Sequence, residues 1–196
     1  MNFLKKLFNL SITSSKDDEI KEQVVNLSLE DSFVHNFIKK GGKFLYATKT
    51  EEVITNIKNI LIENNWNKIT CTDIDLLKFL RNIDVAIGTN FKTANPFFTT
   101  CEHLIASNGD ILFSSNQLKS DKLPELSKDF IVYATTSQLV KNNGQALTGI
   151  KTNFKGNIPT NISAIRNYSI KNDDDNFLNN GSSNSKNLYL LLFEDL

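Results

Sequence analysis

Cysteine and histidine are scarce in this chain, and their scarcity removes whole classes of chemistry. Cys71 and Cys101 are the only cysteines among 196 residues. Two thiols make no disulfide framework, so a reducing compartment is the simpler setting. They also fall short of the thiolates that an iron–sulfur cluster usually requires. With only His35 and His103 besides, zinc would need every Cys and His or added carboxylates, and no close-spaced CxxC or HxxxH pattern occurs. No cofactor is therefore expected in the chain itself. An excess of one charge is missing too: 22 basic residues face 22 acidic ones, and the pI is near 6.7. That argues against nucleic acid, which normally demands a basic face. No apolar run approaches the roughly 18 residues of a membrane span. The dinucleotide GxGxxG, the Walker lysine loop and the GxSxG nucleophile elbow are all absent, and no internal repeat is visible.

What is present suits one soluble domain with a full core: 40% hydrophobic and 22% charged residues are ordinary values. Met1 to Ile12 sets Phe3, Leu4, Leu7 and Phe8 on one helical stripe, and Ser11 to Gln23 is a polar linker. Residues 1–30 are thus expected to form an amphipathic segment and linker, and residues 31–196 the domain. A short helix docking on a partner is the plain reading of the first dozen residues, and an interfacial membrane helix the sharper one.

Within the domain, Asp31 to Lys40 reads as a helix stopped by Gly41-Gly42, and Lys43 to Ala47 as a strand. Thr48 and Glu51 have capping-box spacing and open a helix to about Asn64, with Val53, Ile54, Ile57, Ile60 and Leu61 on one face. Ile69 to Cys71 is a second strand, Asp73 caps a helix through Leu80, and Ile83 to Ile87 is a third apolar run. A β-α-β-α-β order marks a parallel sheet with helices on its faces. Asn108-Gly109 between two apolar runs predicts a hairpin with a type I′ turn. Phe130 to Ala134 is a buried strand, Ser137 to Lys141 and Gln145 to Phe154 read as helices, and Asn172 to Gly181 as a short acidic helix. Leu188 to Phe193 is so apolar that it belongs in the sheet interior.

Four polar clusters stand at predicted strand ends: Ser107 to Asp110, Ser114 to Gln117, Thr135 to Gln138 and Gly181 to Ser185. Small hydroxyl and amide residues with glycine let backbone N–H groups approach an anion, although the same composition also makes plain turns. Cys101, Glu102 and His103 offer the parts of a thiol nucleophile, but neighbours on one strand point to opposite faces, so a packed Cys and a turn His are the plainer reading.

The central and terminal stretches resemble the LUD-domain family, the lactate-utilisation protein C group, and in particular its short single-domain Bacteroidetes-type members. The family's Ala-Glu-Thr-Gly-Thr turn between strands is represented by Ala106-Ser107-Asn108-Gly109-Asp110. Its proline, apolar strand and glutamine are matched by Pro124, Phe130 to Ala134 and Gln138-Leu139-Val140. Its late glycine-bearing loop into an apolar strand is matched by Gly181 to Phe193. The chain departs where Ser107 replaces the acidic residue and Asn108 and Asp110 replace the threonines. The family's Gly-Pro-Ser and His-Gly-Pro fall near Ile165-Arg166-Asn167 and Ser183-Asn184-Ser185 and are not recognisable. The resemblance implies an α/β, Rossmann-like three-layer α/β/α sandwich related to the sugar-phosphate isomerase and CoA-transferase superfamily. It further implies a cytoplasmic accessory subunit of an L-lactate oxidising system whose iron–sulfur partners carry the electrons. The fold transfers with the resemblance; the activity does not. The expected role is to bind a small anion or to dock on those partners. Turn chemistry and strand-end position select Ser107, Asn108, Gly109, Ser114, Thr135, Thr136, Ser137 and Gln138 as its lining, with Ser183 and Ser185 behind them. Two other classes stay open: a stand-alone enzyme on a sugar phosphate or CoA ester, using Glu102 or Asp110, and a non-catalytic scaffold.

Overall fold

Long apolar runs with alternating sides force a sheet that is covered on both faces, and the chain builds one. The computed structural model describes residues 27–93, 95–154, 156–168 and 184–195. The expected N-terminal stripe, its linker, the acidic segment at 172–181 and Ser183 lie outside the described residues.

The main sheet has six parallel strands in the order β1-β10-β7-β4-β2-β3. They are β1 (Lys43–Ala47), β2 (Lys68–Thr70), β3 (Ala86–Gly88), β4 (Phe97–Thr99), β7 (Asp129–Thr135) and β10 (Asn187–Phe193). The last strand is an inner one, between β1 and β7 with Leu190 opposite both Phe44 and Val132, as its unbroken apolar run predicts. Alternation sorts its side chains. Leu188, Leu190 and Leu192 enter one core and Tyr189 and Leu191 the other. β7 does the same with Phe130, Val132 and Ala134 against Ile131.

The two faces are covered differently. Helices α2 (Thr50–Glu63) and α3 (Ile74–Leu80) cover the Ile131 face with Val53, Ile57, Ile60, Leu76 and Leu80. The other face is covered by α1 (Leu29–Lys39) and by a small mixed sheet ordered β8-β5-β6-β9. Its strands are β5 (His103–Ile105), β6 (Asp110–Phe113), β8 (Leu139–Val140) and β9 (Ser163–Ile165). Leu104, Ile111, Phe113, Leu139 and Ile165 of that sheet join Phe33, Val34 and Phe37 of α1 in one core. Its outer face carries Ile105, Leu112 and Val140 against Ala146 and Ile150 of α5 (Asn143–Asn153). The α/β class with a flanked parallel sheet is as expected. The plain three-layer picture gains a small sheet, because segments of two to four residues do carry strand pairing here.

Several local expectations change. Ser137 to Lys141 is not a helix: a 3-10 turn at Thr136–Gln138 runs into β8, which pairs with β5 through Leu104 and Ile105. Glu52, not Glu51, caps α2, its Oε2 accepting from the N–H groups of Thr48 at 2.8 Å and Lys49 at 3.3 Å. Asp73 caps α3 as read, Oδ1 accepting from Asp75 N at 2.9 Å and Leu76 N at 3.2 Å. The hairpin at Asn108-Gly109 forms, but its four-residue loop has only Gly109 at positive φ, so the turn is not type I′.

Candidate functional site

Parallel strands end together, so the loops after β1, β2, β4, β7 and β10 share one edge of the sheet. β1 and β2 lead into helices on one face, while β4 and β7 lead into the small sheet on the other. β2 and β4 are neighbours, so the crossover direction reverses between them. Open α/β sheets leave a crevice at such a reversal. A cleft of about 560 Å³ opens here. α2 contributes Thr50 and Ile54, and the cap and body of α3 contribute Asp73, Asp75, Leu76, Lys78 and Phe79. Thr100 follows β4, while Tyr133, Thr135 and Gln138 come from the end of β7. Phe79 and Tyr133 form an aromatic wall with ring centroids 5.2 Å apart. Burial, then the charge of Asp195, raises the Tyr133 hydroxyl pKa. The basic residue of the lining is Lys78, which is paired with Asp75 at 2.5 Å.

Of the residues selected from sequence, Thr135 and Gln138 line this cleft. Gln138 is a strut: Oε1 accepts from Thr135 N at 2.8 Å, and Nε2 donates to the Cys101 carbonyl at 2.5 Å. Thr136 and Ser137 stand beside it and bind a carboxylate, that of Asp195. Thr136 Oγ1 donates to Asp195 Oδ1 at 2.8 Å, Ser137 N to Oδ1 at 3.0 Å, and Ser137 Oγ to Oδ2 at 2.7 Å. Partial burial pushes this carboxyl up, but the Ser137 and Thr136 hydrogen bonds outweigh it and hold the pKa at about 2. The donors that the sequence reading assigns to a ligand in this turn are taken by the chain's own carboxylate.

Ser114 lies apart from the cleft lining. It is buried at the N-cap of α4 (Ser115–Leu118), and Oγ donates to Glu102 Oε1 at 2.6 Å. Asn116 Nδ2 at 2.8 Å and Gln117 Nε2 at 3.2 Å reach the same oxygen, so Glu102 ties α4 to the start of β5. Ser107, Asn108 and Gly109 contribute nothing to the lining, because their turn is packed under α1. Asn36 Nδ2 donates to the Ala106 carbonyl at 2.9 Å, and Tyr168 Oη to the Gly109 carbonyl at 2.6 Å. Asp110, buried, pairs with Lys40 at 2.7 Å and accepts from Asn108 Nδ2 at 2.9 Å. Ser185 precedes β10 and so sits at the opposite edge of the sheet from the cleft. The two thiols are buried: desolvation pushes Cys71 up to about 11 and Cys101 well above its ordinary value. The ring of His103 faces the Gln138 carbonyl, Nδ1 at 3.4 Å, rather than the Cys101 sulfur. Among the described residues, no group of three His, Cys, Asp or Glu side chains is placed to hold a metal ion. No helix among them is long and apolar enough to cross a membrane.

Sequence reasoning missed Asp73, Asp75, Lys78, Phe79, Thr100 and Tyr133 as cleft residues. Asp73 was visible as a helix cap following a strand, and that position, at a strand's carboxyl end, was the available signal.

No protein-family model matches the sequence, and no curated protein matches it. A solved structure does. The fold is similar to the crystal structure of a DUF162 family protein from Deinococcus radiodurans, with a TM-score of 0.59 and 11% sequence identity, over 85% of this chain and 96% of that one. At that identity the likeness is one of fold. DUF162 is another name for the LUD domain family, the family whose motifs the sequence resembles.

Proposed function

We propose that this chain is a LUD-type domain that binds a small molecule in the β2–β4 cleft. Its place is as an accessory subunit of L-lactate utilisation, alongside iron–sulfur partners that hold the clusters. The Rossmann-like layering and the kinship with the sugar-phosphate isomerase and CoA-transferase superfamily belong to the same reading. The observation that carries it is the position of the cleft at the crossover reversal of a fold shared with a DUF162 protein. The lining supports binding over catalysis. Gln138 is consumed in bracing two strand ends, the lining acids are engaged in a cap and an ion pair, and both thiols are held protonated by burial. Lactate itself comes from the sequence resemblance. Deleting the gene in the native organism should abolish growth on L-lactate while leaving growth on pyruvate intact. Unchanged growth on L-lactate would overturn the assignment.

A further inference from the structure

Along the cleft edge, three sets of donors suited to an anion already hold carboxylates of this chain. Glu52 takes the N–H groups of Thr48 and Lys49 ahead of α2. Asp73 takes those of Asp75 and Leu76 at the start of α3. Asp195 takes Ser137 N and two hydroxyls at the end of β7. Within the lining, Lys78 is matched by Asp75 at 2.5 Å, which leaves Asp73 as the unbalanced charge. An anion entering would lose its hydration and meet a carboxylate. The rest of the lining holds Phe79 and Tyr133, their rings tilted 46° to each other, with Ile54 and Leu76, and it includes Thr50, Thr100 and Thr135, the last with its hydroxyl bonded to Ser137 Oγ at 2.8 Å. At about 560 Å³ the cleft is in the size range of sites for molecules much larger than lactate.

We propose that the cleft takes an uncharged molecule that joins a planar ring to a hydroxyl-bearing sugar, a nucleoside-type ligand, and discriminates against its phosphorylated form. This rests on the reading of the cleft as the ligand site. The planar ring packs on the face of one of the two tilted aromatic rings, Phe79 or Tyr133, and the hydroxyls of Thr50 and Thr100 exchange hydrogen bonds with the sugar.

The test uses the full chain labelled with ¹⁵N and titrated separately with adenosine, adenosine 5′-monophosphate, inorganic phosphate and a low-molecular-weight extract of native cells. Adenosine should shift the amides of Phe79, Thr100 and Tyr133. The monophosphate should bind about tenfold more weakly, as a charge facing a carboxylate at a half-wet site requires. Phosphate should leave these amides in place. Asp73→Asn keeps the helix cap, since asparagine caps as well as aspartate, and should narrow the ratio between adenosine and its monophosphate. The monophosphate or phosphate binding more tightly than adenosine at the same amides overturns the ligand class and leaves the cleft as the site. So does an extract that shifts the cleft amides where adenosine does not. If neither adenosine nor the extract moves them, both this inference and the cleft reading fall.

Discussion

Gly109 shows how a residue of the family-like turn can be fixed by backbone conformation and packing. Its φ is +71°, and a Cβ placed there would stand 2.6 Å from the Phe37 backbone nitrogen. A methyl group therefore meets both backbone strain and the body of α1. Gly109→Ala should destabilise the fold by about 1–3 kcal/mol, read from the midpoint of urea unfolding. Ligand affinity at the cleft should be unchanged in the folded variant. Asp195 is the opposite case, an exposed residue whose weight is electrostatic. Its folded carboxyl lies at about 2, below the ordinary 3.8, because the Ser137 and Thr136 hydrogen bonds overcome the opposing effect of burial. A depressed pKa adds stability that is fully present above the ordinary value and is lost as the pH falls from about 4 through about 2. The Ser137 amide should accordingly titrate in that window, and Asp195→Asn should erase the titration. The hydroxyls of Thr136 and Ser137 were legible in sequence as anion receivers. Their partner was not, because no local pattern links them to a residue 58 or 59 positions away.

Elements were legible in proportion to how much of their own sequence decides them. β1, β7 and β10 could be read to within a residue or two from apolar runs, and α3 from its Asp73 cap. β8 and β9 could not, since two or three residues carry no usable period and their strand character comes from pairing with β5 and β6. The order of the main sheet was equally hidden, because β10 joins from the far end of the chain and separates β1 from β7. One element-scale device fixes that insertion. Lys186, buried just ahead of β10, donates to the carbonyls of Leu126 at 3.0 Å and Ser127 at 2.9 Å, in the loop entering β7. Desolvation, then the nearby Lys128, lowers its pKa to about 8, against the pull of Asp129. Between about 8 and the ordinary 10.5 the unfolded chain therefore binds more protons than the folded one, so this group makes stability rise with pH across that window. Lys186→Met should flatten that rise in a pH series of thermal unfolding. It should also cost about 1–3 kcal/mol near neutrality by leaving buried carbonyls without a donor.

At the scale of the whole molecule, the fold places a cleft at the crossover reversal between the neighbouring strands β2 and β4. The proposed role as an accessory subunit is tested by what travels with the chain. The α/β class was legible because the β-α-β-α-β order leaves few alternatives, and the fold implied by the sequence resemblance is similar to that of the DUF162 structure. The cleft was legible only in part. Thr135 and Gln138 belong to a strand end that announced itself, while Phe79 and Tyr133 look like ordinary core positions until α3 is packed against β7. The most direct measurement is purification of the tagged protein from anaerobically lysed native cells, with partner identification and iron analysis of the eluate. Iron–sulfur proteins recovered in a fixed ratio to this chain, with the iron lost when they are stripped away, are the predicted result. Protein that elutes iron-free and without partners would contradict the account and leave a stand-alone binding protein in its place.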